Sequence, residues 1–318
     1  MKHTITQGNR EYIQEDYVHS ANSLFHFMKE SEYLTTALKK KALCPRYCKE
    51  DVAYLNIKNG ENTFNEVAIL QKCFCDIPLS TVIKKFPVIL TDNNDYLTEE
   101  QIKAVPEELS HPDFYGKYAI AFTKRWGEKN KLQAIHYLNP EAICAENYSE
   151  TLRSILAEAD VPEIVANTLL DWICFFKPLR GTMKRNQLIG EPKKAFEIEI
   201  FKNFHDEHEW RYVPSKAEIN GQTIQCIIAN KYILNSENML GEMNTRLEDM
   251  KYRPTWLPFQ YEDIRYIIVP DNQSRIDVIN TINALDDSLF TEVEGDTKLQ
   301  RGILISKILV LDGIVKDL

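Results

Sequence analysis

The sequence predicts an α+β fold with a mixed, largely antiparallel β core and helical insertions. Three observations carry this expectation. Apolar, β-rich runs recur along the whole chain, among them SLFHFM (23–28), YAIAF (118–122), FEIEIF (196–201) and DIRYIIVP (263–270). Asn220-Gly221, flanked by AEI and QTIQCII, is the strongest hairpin signal. Helical segments fall between these runs without the regular alternation that a doubly wound parallel sheet requires.

Taken in order, residues 1–19 are polar and read as an N-terminal arm, and 20–318 as a single α+β domain. SLFHFM is a first strand, and EYLTTALKKKAL after Ser31 is a helix whose lysines sit at its C-terminal end, where they oppose the helix dipole. EVAILQKCFC (66–75) holds a second strand, followed by the turn DIP and a short helix from Ser80. LTEEQIKAV is a small helix capped by Thr98. YGKYAIAFTKRWGEKNKLQAIHYL (115–138) reads as strand, helix, strand, with Thr123 capping the helix and both strands apolar enough to be central.

Residues 150–176 show helical periodicity broken at Pro162, so a two-helix insertion is expected at about 150–178. A basic loop, KPLRGTMKRNQLIG, then leads to the strand FEIEIF, with Glu197 and Glu199 on its wet face, and to the strand EWRYVP. Beyond the hairpin come the helix LGEMNTRLEDMK, the strand DIRYIIVP, the helix RIDVINTINALD and a last apolar strand in GILISKILVL.

Composition narrows the function classes. With 44% hydrophobic residues over 318 positions, the chain supplies a sizeable core, and 27% charged residues keep it within the globular range. The net charge of −9 argues against nucleic-acid capture by bulk electrostatics. No run approaches the ~18 residues that cross a bilayer, and the polar start lacks a signal peptide's apolar core, so a cytoplasmic protein is expected. The 7 cysteines, an odd number, fit reduced thiols better than a disulfide framework. Cys44 with Cys48 and Cys73 with Cys75 lack the spacing of zinc knuckles, and Cys73 and Cys75 read as core residues on one face of a strand. No GxGxxG, GxxxxGK[ST], GxSxG or HExxH occurs, so the chemistry must come from dispersed polar residues.

Three positions stand out. His26 interrupts the apolar strand SLFHFM on the face opposite Phe25 and Phe27; it reads either as a structural histidine or as a donor to a ligand hydroxyl. Tyr115 and Tyr118 bracket Gly116, where a planar ligand could stack and approach the backbone, or where ordinary aromatic packing begins a strand. In NFHDEHEWRYVP (203–214), extended backbone would put Glu207 and Glu209 on one side and His208 and Trp210 on the other. Mutual repulsion would raise the pKa of one carboxyl and separate their roles, and such a pair suits a reaction developing positive charge at a sugar carbon, which a fixed carboxylate stabilises. The competing reading is a solvated hairpin end. A metal site of His205, His208 and a carboxylate has poor geometry on a segment entering a strand, and no metal is expected.

The segments LFHFMKESEYLTTALKKKALCPRYC, CFCDIPLS, YGKYAIAFTKRWGEKNKLQAIHYL and DEHEWRYVP, in this order over roughly residues 20–270, resemble the AbiGi family of abortive-infection proteins. That resemblance implies a phage-defence role in a toxin–antitoxin-like pair, with a cognate toxin or antitoxin from a neighbouring gene as partner, or a phage component or nucleic-acid acceptor. The family's first and last motifs in turn resemble those of ADP-ribosyltransferase-like proteins. This further likeness implies an ADP-ribosyltransferase-like scaffold with NAD as substrate, His26 as its first-strand contact and Tyr118 or Tyr115 as a second. Glu209 then corresponds to the catalytic carboxylate and Glu207 completes an ExE-like pair. Met28 stands where related sequences tend to carry Thr, and no central Ser-Thr-Ser motif is present. Two functions follow: transfer of ADP-ribose from NAD to a protein or nucleic acid, or non-catalytic binding of a cognate partner as antitoxin or sensor.

Overall fold

The structure, a computed structural model, describes residues 21–317 apart from 60–61, 159–161, 190–193, 220, 222–223 and 291–295. The arm expected over 1–19 lies outside the described residues. The architecture is α+β, built on a mixed sheet whose pairings are antiparallel except at one edge. Its strands are β1 (Ser23–Met28), β2 (Arg46–Asp51), β3 (Glu66–Cys75), β4 (Tyr118–Thr123), β5 (Gln133–Ala134), β6 (Glu209–Tyr212), β7 (Ile227–Ile228), β8 (Ile264–Val269) and β9 (Ile308–Val310). Across the sheet they run β5-β6-β3-β1-β4-β8-β9, with β2 and β7 also on β3.

The ten residues of β3 explain this branching. Its first half pairs with β2 (Cys48 opposite Ile69), and its second half pairs with β6 and β1, so that Glu209, Cys75 and Phe25 form one transverse row. Cross-strand partners share a face, which fixes two sides. On the first, Phe25, Phe27, Cys75, Ala119 and Ala121 pack together, and Val67 and Ile69 meet the helices α2 (Ile143–Ala157) and α3 (Glu163–Ile173) through Tyr148, Leu152 and Ile173. On the second, Leu24, Phe74, Ile120 and Phe122 meet α1 (Ser31–Lys40) and α4 (Asn272–Asn283) through Leu34, Leu38, Val278 and Ile282. Phe122 stacks on Trp126 with ring centroids 4.0 Å apart. Each such side chain contributes roughly 1.5–3 kcal/mol when fully buried.

Several local expectations are corrected. The basic loop 177–190 is instead a strand, Arg180–Ile189, paired along its length with Lys194–Asn203 in a long hairpin. Thr182, Lys184 and Asn186 face outward and Arg185 lies over the Phe114 ring, so the strand shows no apolar face to a hydrophobicity reading. The hairpin at Asn220-Gly221 does not form as drawn: Asn220 is outside the described residues, and AEI lies in a helical turn, Lys216–Ile219, where the Ser215 N–H and hydroxyl donate to the Glu218 carboxylate. GILISKILVL is mostly helix, Thr297–Ser306, before the short β9. The second strand of 115–138 becomes two short pieces, Gln133–Ala134 at the sheet edge and His136–Leu138 paired with Phe176–Pro178.

Gly116 serves a close backbone approach. At φ +121° it ends the turn His111–Tyr115, and a Cβ there would lie 2.0 Å from the Met28 carbonyl oxygen. Only glycine lets the two chains approach so closely.

Candidate functional site: a buried carboxylate–cation network

The stretch NFHDEHEWRYVP changes conformation in its middle. Phe204–Glu207 is a 3-10 turn, His208 is left-handed at φ 45°, and β6 begins only at Glu209. Glu207 and Glu209 are therefore not strand neighbours on one wet face. Both are buried, at 3% and 4% exposure, and they converge on the Lys177 ammonium at 3.2 and 3.0 Å.

The network extends on either side. Glu207 Oε1 accepts from Lys202 Nζ at 2.5 Å and from the Tyr115 hydroxyl, which itself accepts from Lys202 at 2.8 Å. Glu209 Oε1 accepts from Arg211 Nε at 3.0 Å. Arg211 donates onward to the Cys174 carbonyl at 2.6 Å and to Glu50 at 3.1 Å, and Gln71 donates to the same Glu50 oxygen at 2.6 Å. The Glu209 N–H donates to Tyr137 Oη at 2.8 Å. Three carboxylates (Glu50, Glu207, Glu209) thus face three cations (Lys177, Lys202, Arg211), and the cluster balances.

This balance sets the protonation states. Burial pushes the Glu207 carboxyl up, but Lys177 and Lys202 outweigh it and hold the group well below the usual range. Burial likewise opposes ionisation of Glu209, and Arg211 and Lys177 overcome both it and the repulsion from Glu207. The expected splitting, with one carboxyl raised, does not occur because the cations between the two carboxylates exceed their mutual repulsion. Neither group is poised as a general acid. Tyr115 is held protonated, its pKa raised by burial and by Glu207.

His26 lies elsewhere. Phe25 shares the row of Cys75 and Glu209, so alternation puts His26 on the opposite face, where its ring tilts against Phe74 at 5.5 Å and Nδ1–H donates to the Cys73 carbonyl at 2.9 Å. Burial lowers its pKa to about 3, with the Lys72 charge adding to the effect. Tyr118, opposite Met28, packs on this second face, its hydroxyl 3.1 Å from the Ser274 hydroxyl. The expected NAD-contacting set is therefore divided: His26 and Tyr118 on one side of the sheet, Tyr115 with Glu207 and Glu209 on the other. As a joint cradle for one NAD molecule, these residues do not fit. His205 and His208 face each other with ring centroids 5.1 Å apart, and among the described residues no group of three or more His, Cys, Asp or Glu side chains could hold a metal ion.

Sequence reasoning missed four charged members of the network. Arg211 was legible, since it alternates onto the Glu209 face of the same strand. Lys177 and Glu50 reach the site from distant segments, and Lys202, only five residues before Glu207, meets it because the turn Phe204–Glu207 follows its strand directly.

A search of solved structures finds no match. The family model described as "Putative abortive phage resistance protein AbiGi, antitoxin" matches residues 105–270. A curated relative, the abortive phage resistance protein AbiGi of Lactococcus lactis subsp. cremoris, is 30% identical over 285 residues, covering 87% of this chain and 99% of that protein. The chain belongs to the AbiGi family. Within this AbiGi-family chain the matched region runs from before Tyr115 through β8, so it includes Lys177, Lys202, Glu207, Glu209 and Arg211, while His26 and Glu50 precede it. No helix among the described residues is long and apolar enough to cross a membrane.

Proposed function

We propose that this abortive phage resistance protein acts without catalysis, as an antitoxin or sensor that binds a cognate partner protein, on an ADP-ribosyltransferase-like scaffold formed by residues 20–318. The observation that carries this reading is the commitment of Glu207 and Glu209 to buried ion pairs in a charge-balanced network. A carboxylate that supports ribose transfer must meet its substrate. Glu209 instead meets Arg211 and Lys177, is sealed from solvent, and sits across the sheet from His26. The antitoxin description of the matching family supports the same reading, and the net charge of −9 suits a partner with a basic surface.

The transferase reading would need His26 and Glu209 in one cleft, and this arrangement argues against it. The test is co-expression of the tagged chain with the protein encoded by the neighbouring gene. A stoichiometric complex in size-exclusion chromatography, with relief of any growth arrest caused by that neighbour, is expected. Growth arrest by this chain alone, with no complex formed at micromolar concentration, would overturn the proposal.

A further inference from the structure

Beside the ion-pair network, the long hairpin, the segment 86–89 and the turn His111–Tyr115 line a partly open cavity of about 290 Å³. At a water's share of liquid volume this is room for roughly ten water molecules, the scale of a single or fused ring system. The wall is largely apolar and aromatic, with Phe86, Val88, Phe114 and Ile200 among its members, and the exposed Arg180 also lines it. Such a composition, apolar with a few polar groups, is that of small-molecule sites.

One of those polar groups is anomalous. His111 is 2% exposed, yet neither of its ring nitrogens has a hydrogen-bond partner in the protein. It is surrounded by rings, with centroids at 5.0 Å for Phe86 and 6.4 Å for Phe27 and Tyr115. Lys202 and Glu207 also line the cavity but are paired with each other. A buried imidazole with both nitrogens unsatisfied is costly, so its retention beside a cavity calls for a ligand that satisfies it.

We propose that this cavity binds a planar heteroaromatic molecule of nucleobase or nucleoside size, held by a hydrogen bond to His111 and by contact with the Phe86 and Phe114 rings. Burial lowers the His111 pKa to about 4, so near neutral pH the imidazole offers one N–H donor and one lone-pair acceptor. The two point away from each other across the ring, and a nucleobase edge, which carries both N–H and ring-nitrogen or carbonyl groups, can match either. A purely hydrocarbon ring would leave both unmet. Arg180 and Asp206, both exposed and both lining the cavity, place one charge of each sign at its rim and suit polar substituents on the ligand. This inference goes beyond the partner-binding reading and has its own readouts, so either can fail alone.

The test uses the full chain labelled with 15N-histidine and titrated with adenosine, guanosine, cytidine and uridine, with phenol as a ring that lacks nitrogen. At least one nucleoside is expected to move the His111 ring 15N signals saturably and to raise the melting temperature. His111→Phe, which preserves the ring packing, is expected to weaken that binding at least about tenfold, the scale of one hydrogen bond. No shift of the His111 signals by any nucleoside at millimolar concentration would overturn the proposal, as would undiminished binding by His111→Phe or phenol binding as tightly as the best nucleoside. If His111→Phe does not fold, the wild-type 15N titration decides the matter by itself.

Discussion

Glu209→Gln keeps the shape of the side chain and removes one charge from the network. Glu209 is 4% exposed and accepts from Arg211 at 3.0 Å and Lys177 at 3.0 Å, so the variant leaves three cations against two carboxylates in a dry site. Removing one partner of a buried ion pair costs about 3–5 kcal/mol. The lower end applies, because Arg211 retains Glu50 and the Cys174 carbonyl and Lys177 retains Glu207. A loss of about 3 kcal/mol corresponds to a fall in melting temperature of roughly 4–5 °C for a chain of this size. Urea and thermal melts followed by circular dichroism read both quantities. Glu209→Gln/Arg211→Met should cost less than the sum of its single variants by about 1 kcal/mol or more, since the second change removes the surplus positive charge that the first leaves in the network. The exposed pair Lys184–Glu197 is the control, and Glu197→Gln should cost less than about 1 kcal/mol. A melting temperature within about 1 °C of wild type for Glu209→Gln would refute the structural role assigned to the network.

Two further outcomes follow from the same geometry. Gly116→Ala should destabilise the fold by several kcal/mol in urea melts, because its Cβ meets the Met28 carbonyl and φ is +121°, whereas Gly241→Ala, exposed in the helix Glu237–Arg246 with nothing within 4 Å, should stabilise it by about 0.5–1 kcal/mol; equal effects would contradict this. Stability should also fall on acidification. His26 and His111 have folded pKa values of about 3 and about 4 against 6.5, so below 6.5 the unfolded chain takes up protons that the folded one refuses. Each histidine can remove up to ~1.4 kcal/mol per pH unit, and between pH 7 and 5 a combined loss of about 4 kcal/mol is expected. Below 4.5 the depressed carboxyls Glu207 and Glu209 add a loss of the same sign. A urea midpoint that stays level from pH 7 to 5 would contradict the histidine assignments.

Much of the fold was legible in the sequence. SLFHFM, YAIAF and DIRYIIVP became adjacent strands because their apolar residues must be buried on both faces of a central sheet. Thr98 and Thr123 capped the helices expected of them, because those caps are local. The strand Arg180–Ile189 escaped notice because its partner, Lys194–Asn203, supplies the register and the polar side chains give no alternation to read. The site was legible as a cluster but not as a chemistry. Glu207 and Glu209 were visible in DEHEW; that they would be neutralised depended on Lys177, which tertiary packing brings in, and on the turn Phe204–Glu207, which sets Glu207 against Lys202. The left-handed His208 breaks the strand between them, which strand periodicity could not show. His111 carried no signal in HPDFYG, because an orphaned imidazole is defined by what surrounds it.

The most direct test of the account is the release of nicotinamide from NAD by the purified wild-type chain, alone and with its neighbouring gene product, measured by liquid chromatography. With Glu209 locked between Arg211 and Lys177 and His26 on the far side of the sheet, release should stay at the level of a protein-free control. Saturable release that Glu209→Gln abolishes would contradict the account and restore the catalytic reading.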